Sequence, residues 1–331
     1  MTKPSVHSIA VVVPVYAGEH TLEALVEEIS VFLETSTTPR GIRFRVSEVV
    51  LVHDHGRDNS AKVMRSLATK FSVVRVVWLS RNFGQHPATI AGISASGADW
   101  IVTIDEDGQF NPLDIPRLLD TAIAEKVPLV YGTARTAPPH SRIRNLASAF
   151  VKRVLAKLLI GSDVAEFSSF RLVLGELGRS VAAYAGSGVY LDVALHWMIG
   201  EHRVVRVDFR REGREHSGYT ARSLMSHFWR LVLSSGTRPL RFVSYAGLVA
   251  AMLGVILAAL VTARRVLYGF PVGFTSVFVT LLIIGGIMLV ALGVVAEYIG
   301  LIARSSIGRP LYLAQTDPQE SPLFRDSHPD R

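Results

Sequence analysis

Ala98-Asp99-Trp100-Ile101-Val102-Thr103-Ile104-Asp105-Glu106-Asp107-Gly108-Gln109 is the stretch on which the reading of this chain turns. An apolar run from Trp100 to Ile104 ends in three carboxylates, a glycine and a glutamine. A short run of this kind reads as a buried strand. Three acids cannot share its low-dielectric interior without partners. They belong at the strand's carboxyl end, the edge at which open α/β sheets hold their ligands. Two aspartates one residue apart are hard oxygen ligands suited to a Mg²⁺ or Mn²⁺ ion that itself carries phosphates. The same letters also fit a solvated acidic turn, helped by Gly108 and by Asn111-Pro112. The segments on either side decide between the two.

Working back toward the N-terminus, β-branched apolar runs at residues 9–13, 46–52 and 73–79 read as strands, the first stopped by Pro14. Helical spacing appears at 21–33, with Leu22, Leu25, Val26, Ile29 and Leu33 on one face, and again at 60–71 and 86–96. Strands alternating with helices predict a mainly parallel, doubly wound sheet. Each strand ends in polar residues: His53-Asp54-His55-Gly56-Arg57-Asp58 after the second and Ser80-Arg81-Asn82-Phe83-Gly84-Gln85 after the third. These polar ends share one edge with the Asp-rich turn, and that edge is the expected site. Two more strand-like pieces follow at 129–132 and 204–209.

The 331 residues are enough for a catalytic domain and something more. Mean hydropathy is +0.32, and the apolar excess collects after Phe242. Residues 242–263 and 272–296 carry only Arg264-Arg265 and a short apolar loop between them, and each exceeds the ~20 apolar residues that cross a bilayer. They read as a two-helix transmembrane hairpin. Basic amphipathic stretches at 142–159 and 223–233 have the character of membrane-surface helices or of solvated helix faces. The expected organisation is a catalytic domain over 1–220, an amphipathic juxtamembrane segment over 221–241, the spans 242–263 and 272–296, and a polar tail over 297–331 whose end reads as disordered. Arg222, Arg230, Arg238, Arg241, Arg304 and Arg309 outnumber Arg264 and Arg265, which places both termini and the catalytic domain in the cytoplasm. Met1 to His7 reads as no signal peptide.

Net charge is +7 and the pI about 9.8, which suits an anionic partner. No aromatic-basic motif points to nucleic acid, so phosphate and acidic lipid are the expected partners. The absence of cysteine excludes disulfides, thiolate metal sites and cysteine nucleophiles. No G-x-G-x-x-G follows the first strand, which argues against a dinucleotide dehydrogenase.

Taken in order, Val12-Val13-Pro14-Val15-Tyr16, Val52-His53-Asp54 through Asp58-Asn59-Ser60, Arg81-Asn82-Phe83-Gly84 and Asp105-Glu106-Asp107-Gly108-Gln109 resemble the family 2 glycosyltransferases of GT-A fold. Tyr131-Gly132-Thr133-Ala134-Arg135, Ser169-Phe170-Arg171-Leu172, Ser217-Gly218-Tyr219, Arg238-Pro239-Leu240-Arg241 and Gly308-Arg309-Pro310-Leu311-Tyr312 are similar to the polyprenyl-phosphate members, those that act on undecaprenyl or dolichyl phosphate. The resemblance runs from about Ile9 to Leu313. It implies a GT-A (Rossmann-like) nucleotide-sugar domain, a nucleotide-sugar donor, a polyprenyl phosphate acceptor, Mg²⁺ or Mn²⁺, inversion at the anomeric carbon, and a homo-oligomer, by family resemblance a tetramer. It also implies residue roles. Pro14, Val15 and Tyr16 line the nucleotide pocket, with Asp54 at the base or ribose and Arg81 against the same nucleotide. Asp105 approaches the ribose or the metal, and Asp107 and Gln109 hold the metal. Arg135 and Arg171 meet the acceptor phosphate or the leaving diphosphate, where a guanidinium fork suits phosphate oxygens. Ser217 and Tyr219 are further acceptor-phosphate candidates.

A lipid phosphate is already an anionic nucleophile at neutral pH, so this chemistry needs no strong general base. Asp192, in Val189-Tyr190-Leu191-Asp192, becomes a base only if the acceptor is a glycan hydroxyl. That hydroxyl acceptor is one alternative, and a catalytically silent membrane scaffold is another. The chain departs from the family pattern at several places. Ala17-Gly18 replaces the usual Asn-Glu after the first Tyr, with Glu19 one position late. His53-Asp54-His55-Gly56 replaces Asp-Asp-Gly-Ser. Glu106 stands where a small residue is common, crowding the metal or supplying it with an extra ligand. Arg211 and Arg214 are offset candidates for an arginine expected before Ser217.

Overall fold

The computed structural model describes residues 6–135, 167–185, 190–210, 274–306 and 310–322, with single helical positions between 243 and 267. The described residues fall into two units. The first takes in the N-terminal half, the segment up to residue 220 and the chain after residue 309. The second holds the apolar C-terminal part.

The first unit is built on a nine-stranded mixed sheet. Its strands are β1 (His7–Val15), β2 (Ser36–Thr37), β3 (Arg43–His53), β4 (Val74–Leu79), β5 (Trp100–Thr103), β6 (Leu129–Ala134), β7 (Arg171–Leu174), β8 (Arg203–Val207) and β9 (Ala314–Gln315). The order is β8-β6-β7-β5-β1-β3-β4-β9, with β2 on β3. β3, β1, β5 and β4 run parallel, as do β6 and β8, while β7 lies antiparallel between β5 and β6. The central strand β1 is Val-rich and buried from Ile9 to Val15, as expected of a parallel strand covered on both faces. Alternate residues feed two cores. Ile9, Val11 and Val13 meet α1 (Leu22–Ser30) and α2 (Ser60–Lys70) on one face. Ala10 and Val12 meet α3 (Gln85–Ala95) and α5 (Gly175–Tyr184) on the other. α4 (Ile115–Glu125) and α6 (Leu191–Ile199) complete the layers. Gly92 lets α3 lie close on β1, for a Cβ there would stand 2.3 Å from Val12 Cγ1.

Element order agrees with the alternating strand-helix pattern, and three details differ. β1 runs through Pro14 instead of stopping before it. In a parallel strand alternate residues bond to opposite neighbours. The Asp54 N–H donates to Val15 O, and the Ile104 N–H donates to Val12 O. Pro14 therefore faces β5, and without an N–H it ends that ladder. The two strands part where the chain reverses its direction of growth across the sheet, which opens a crevice at the carboxyl end of β5. Second, β7 enters as an antiparallel strand where the sequence showed only the Ser169-Phe170-Arg171-Leu172 motif. Third, the polar tail is structured in its described part. The Ser80 N–H donates to Leu313 O, β9 pairs with the end of β4, and Asp317 takes both Arg65 Nε and Nη2 at 2.6 Å.

In the second unit, α7 (Phe274–Ser306) is a 33-residue helix with mean hydropathy 2.1 over Ile283–Gly300, none of it buried. At 1.5 Å per residue it is roughly 50 Å long, more than a ~30 Å hydrocarbon layer needs. A helix apolar all round is a buried or a membrane-embedded one. Among the described residues it alone is long and apolar enough to span a bilayer. It continues past Ala296, where the sequence placed the end of the second span. Of the first expected span, 242–263, the described positions are helical and the others lie outside the described residues. So do the stretches at 142–159 and 223–233, and with them Ser217, Tyr219, Arg211, Arg214, Arg238, Arg241 and Arg309.

Candidate active site

The turn after β5 reaches the mouth of the crevice. Asp105 is half-buried, and both its oxygens are held by neutral donors: Gln85 Nε2 gives to Oδ1 at 2.5 Å, and Ser169 Oγ gives to Oδ2 at 2.6 Å. Burial raises its carboxyl pKa, and the neighbouring charge of Asp107 adds to that. A carboxylate destabilised in this way gains from an arriving cation. Asp107 Oδ1 accepts the Gln109 N–H at 3.1 Å across Gly108, whose φ of +69° lets the turn close. The Arg210 N–H in turn holds Gln109 O at 2.9 Å. Among the described residues no cluster of three or more His, Asp or Glu side chains forms a closed cage. Asp105, Asp107 and Gln109 share the turn after β5, and each carries a hard side-chain oxygen. Such oxygens are what a Mg²⁺-type ion uses when substrate phosphates supply its remaining ligands.

Asp54 stands at the end of β3 and is 3% exposed. Its oxygens accept the backbone N–H groups of Phe83 at 2.7 Å and Gly84 at 2.8 Å. The structure thus uses Asp54 to fasten the loop after β4, the loop that carries Arg81. Burial raises its pKa, against the pull of those two amides. Arg81 is exposed and lies over the Phe83 ring at 4.3 Å. Tyr16 is 45% exposed at the end of β1, beside buried Val15 and Pro14. Gly56 sits under it, where a Cβ would fall 1.7 Å from Tyr16 O. His55 adopts φ +55°, a conformation that favours glycine, at the position where the family pattern has Gly. His53 is buried against Trp78, its Nε2 has no hydrogen-bond partner, and burial lowers its pKa to about 4.

Four loops therefore meet at one edge and bring together Tyr16, Asp54, Arg81, Asp105, Asp107 and Gln109. The two arginines offered to phosphate lie differently. Arg135 ends β6, is more than half exposed, and pairs loosely with Asp208 at 3.6 Å. Arg171 is 3% exposed on β7, bonded to Asp192 and, through Nε, to Thr103 Oγ1 at 3.0 Å. Tyr131 OH donates to the same Asp192 at 3.1 Å. Arg171 reaches the site through its charge, which lowers the Asp105 pKa, and through the Thr103 bond at the end of β5. Sequence reasoning passed over Gln85 and Ser169. Both lay inside motifs it had quoted or bordered, but nothing in the letters says that two uncharged side chains converge on one aspartate from residues 20 and 64 positions away.

The fold agrees with what comparison with known proteins finds. Residues 10–177, half of the chain, match the family model described as Glycosyl transferase family 2. The chain is 28% identical over 316 residues to the undecaprenyl-phosphate 4-deoxy-4-formamido-L-arabinose transferase of Yersinia enterocolitica, covering 94% of this chain and 93% of that protein. It is 29% identical over 325 residues to the protein of the same name from Serratia proteamaculans, covering 96% of each. Among solved structures, glucosyl-3-phosphoglycerate synthase from Mycobacterium tuberculosis has the same fold. The complex with phosphoglyceric acid gives a TM-score of 0.50 at 21% identity, over 70% of this chain and 80% of that one. The complex with Mn²⁺, UDP-glucose and phosphoglyceric acid gives 0.50 at 20% identity, over 70% and 79%. A strand-end Asp-x-Asp turn in a GT-A-like sheet, and a family match across the segment that carries it, lead to one conclusion: the chain is a glycosyltransferase and belongs to glycosyl transferase family 2.

Proposed function

We propose that this enzyme moves a sugar from a nucleotide-diphosphate donor to polyprenyl phosphate at the cytoplasmic face of a membrane, with inversion, for cell-envelope glycan or glycolipid synthesis. End-to-end similarity to two undecaprenyl-phosphate sugar transferases supports the acceptor class. The apolar helix α7 supports a membrane setting; a second span over 242–263 is expected from its uncharged apolar run, and cytoplasmic termini from the arginine distribution. The observation that carries the choice of acceptor is the state of Asp192. It is 4% exposed and bonded to Arg171 and Tyr131, which leaves it committed to the core instead of serving a hydroxyl acceptor as base. A phosphate acceptor needs no base.

In this reading the donor's nucleotide lies along Pro14, Val15 and Tyr16 and the loop of Arg81 that Asp54 fastens. Its diphosphate faces Asp105, Asp107 and Gln109. These three side chains would hold a Mg²⁺ or Mn²⁺ ion, which supplies charge neutralisation for the leaving diphosphate. Arg135, at the exposed end of β6, is the candidate to meet phosphate, and Ser217 and Tyr219 are further acceptor-phosphate candidates from the sequence. An oxygen of the lipid phosphate attacks the anomeric carbon from the face opposite the leaving group. One C–O bond forms as the bond to the nucleoside diphosphate breaks with its electron pair. The protein's part is to align two anions that repel and to exclude water. The small-residue positions Gly285-Gly286 and Gly293 on α7 would permit close helix packing in a homo-oligomer.

The test uses purified full-length protein in detergent with undecaprenyl phosphate, Mg²⁺ or Mn²⁺ and a panel of radiolabelled nucleotide sugars. Label entering the organic-soluble lipid, and lost with EDTA or in Asp107→Asn, is the expected result. Transfer only to a glycan hydroxyl would replace the acceptor assignment. Absence of both transfer and nucleotide binding would favour a silent scaffold.

A further inference from the structure

Three departures from the family pattern, at Ala17, Gly18 and Glu106, meet at one point in space. Glu106 Oε1 accepts the Ala17 N–H at 2.9 Å, and Oε2 accepts the Tyr16 N–H at 2.9 Å and the Ala17 N–H at 3.2 Å. A Cβ built on Gly18 would lie 2.7 Å from Glu106 Oε2, while its other neighbours stand at ordinary contact distances of 3.4 and 3.5 Å. The pattern keeps a glutamate at position 18 and a small residue between the two aspartates. This chain has the reverse.

We propose that Glu106 is a positioning residue that clips the Tyr16–Ala17–Gly18 loop to the Asp105–Asp107 turn, and that Gly18 is glycine to make room for it. The far side of the same loop is held from the turn after β3: the Gly18 N–H donates to Ser60 Oγ at 2.8 Å, and the Glu19 N–H donates to Asp58 Oδ2 at 3.1 Å. Glu106 supplies the matching tie toward β5. Hydrogen bonds to an ionised carboxylate are about twice as strong as neutral ones, and two of them on adjacent amides fix the orientation of the loop. The expectation that Glu106 serves as an extra metal ligand gives way to this role, because both its oxygens are turned toward backbone N–H groups. The consequence is a fixed distance between the groups that hold the nucleotide and those that hold its diphosphate. The inference rests on the proposed donor site for its kinetic consequence, though not for its structural one.

The experiment compares four full-length proteins in detergent: wild type, Glu106→Ala, Gly18→Ala, and the double variant. Glu106→Ala should raise the donor KM about 10–100-fold, as loss of a residue that orients site ligands does, and leave the lipid-acceptor KM unchanged. Gly18→Ala should do the same, because its methyl group displaces the carboxylate, yet add nothing when Glu106 is already absent. That non-additivity is the signature of one shared contact. The swap Gly18→Glu/Glu106→Ala, which restores the pattern, should bring donor KM back to within about threefold. Hydrogen exchange at the Tyr16 and Ala17 amides gives a readout independent of any substrate. It should accelerate in both single variants and return to wild-type rates in the swap. Additive effects of the two substitutions, or unchanged exchange at those amides, would overturn the proposal. If the wild type binds no nucleotide, the donor-site reading fails, and the exchange data still decide whether Glu106 is the clip.

Discussion

Two groups of charged residues lie on opposite sides of β5 and are used in opposite ways. On the β1–β3 side, Glu106 and Asp107 accept backbone amides at an open edge. On the β7 side, Arg171 and Asp192 face each other in the core under the Tyr131 hydroxyl. Amide donors hold a carboxylate in place without cancelling its charge, so Asp107, with one oxygen on the Gln109 amide, can still meet a ligand's cation. A guanidinium cancels the charge and is itself consumed, so the second group is spent on an ion pair within the core. Both groups draw on residues quoted in family motifs. What separates them is burial.

Breaking the core pair gives the largest expected effect. Arg171→Met leaves Asp192 buried without a counter-charge and should destabilise the first unit by about 3–5 kcal/mol in chemical denaturation, with much of it recovered in Arg171→Met/Asp192→Leu. If Arg171 instead acts on phosphate, transfer would fall while stability held.

The next effect follows pH. His53 is held neutral with its pKa at about 4, against an ordinary value of 6.5. The unfolded chain takes up a proton that the fold refuses, so stability is full above pH 6.5 and falls as pH drops toward 4, by about 3 kcal/mol. His53→Leu should flatten that acid limb in pH-dependent melting.

At the open edge, Asp107→Asn should lower sugar transfer about a hundredfold, worth about 2.7 kcal/mol, with the melting temperature unchanged. A matching loss of stability would mean that Asp107 belongs with the buried group. The smallest effect is at the rim. Asp317→Ala removes a bidentate, partly exposed bond to Arg65 and should cost about 1 kcal/mol. It should also loosen β9 from the edge of β4, read as faster amide exchange at Ser80.

The alternation of strands and helices, the polar ends of β1, β3, β4 and β5, and the Asp-x-Asp turn were legible in the letters. Burial on both faces forces continuous apolar runs, and the period of each helix shows which face is covered. A sheet of this kind has one edge where ligands bind, and Asp105, Asp107, Gln109, Asp54 and Tyr16 all stand at it. The antiparallel β7 was not legible, because a four-residue strand has too little pattern of its own and is defined by the neighbours it pairs with. Nor was β9, which forms only when a segment more than 230 residues downstream closes on Leu79.

Sequence by itself determined the class of the chain: local periodicity and the chemistry of short motifs are properties of consecutive residues. Tertiary structure alone decided which charges act and which are neutralised. Arg171 and Arg135 are the same residue type, and only their surroundings make one a core ion pair and the other an exposed group at a strand end. Likewise Gly18 and Glu106 read as unrelated departures until the loops after β1 and β5 bring them so close that a Cβ on Gly18 would stand 2.7 Å from Glu106 Oε2. Contacts across such distances follow from the fold, because proximity in space is set by how the sheet is assembled and leaves no mark on the spacing of residues along the chain.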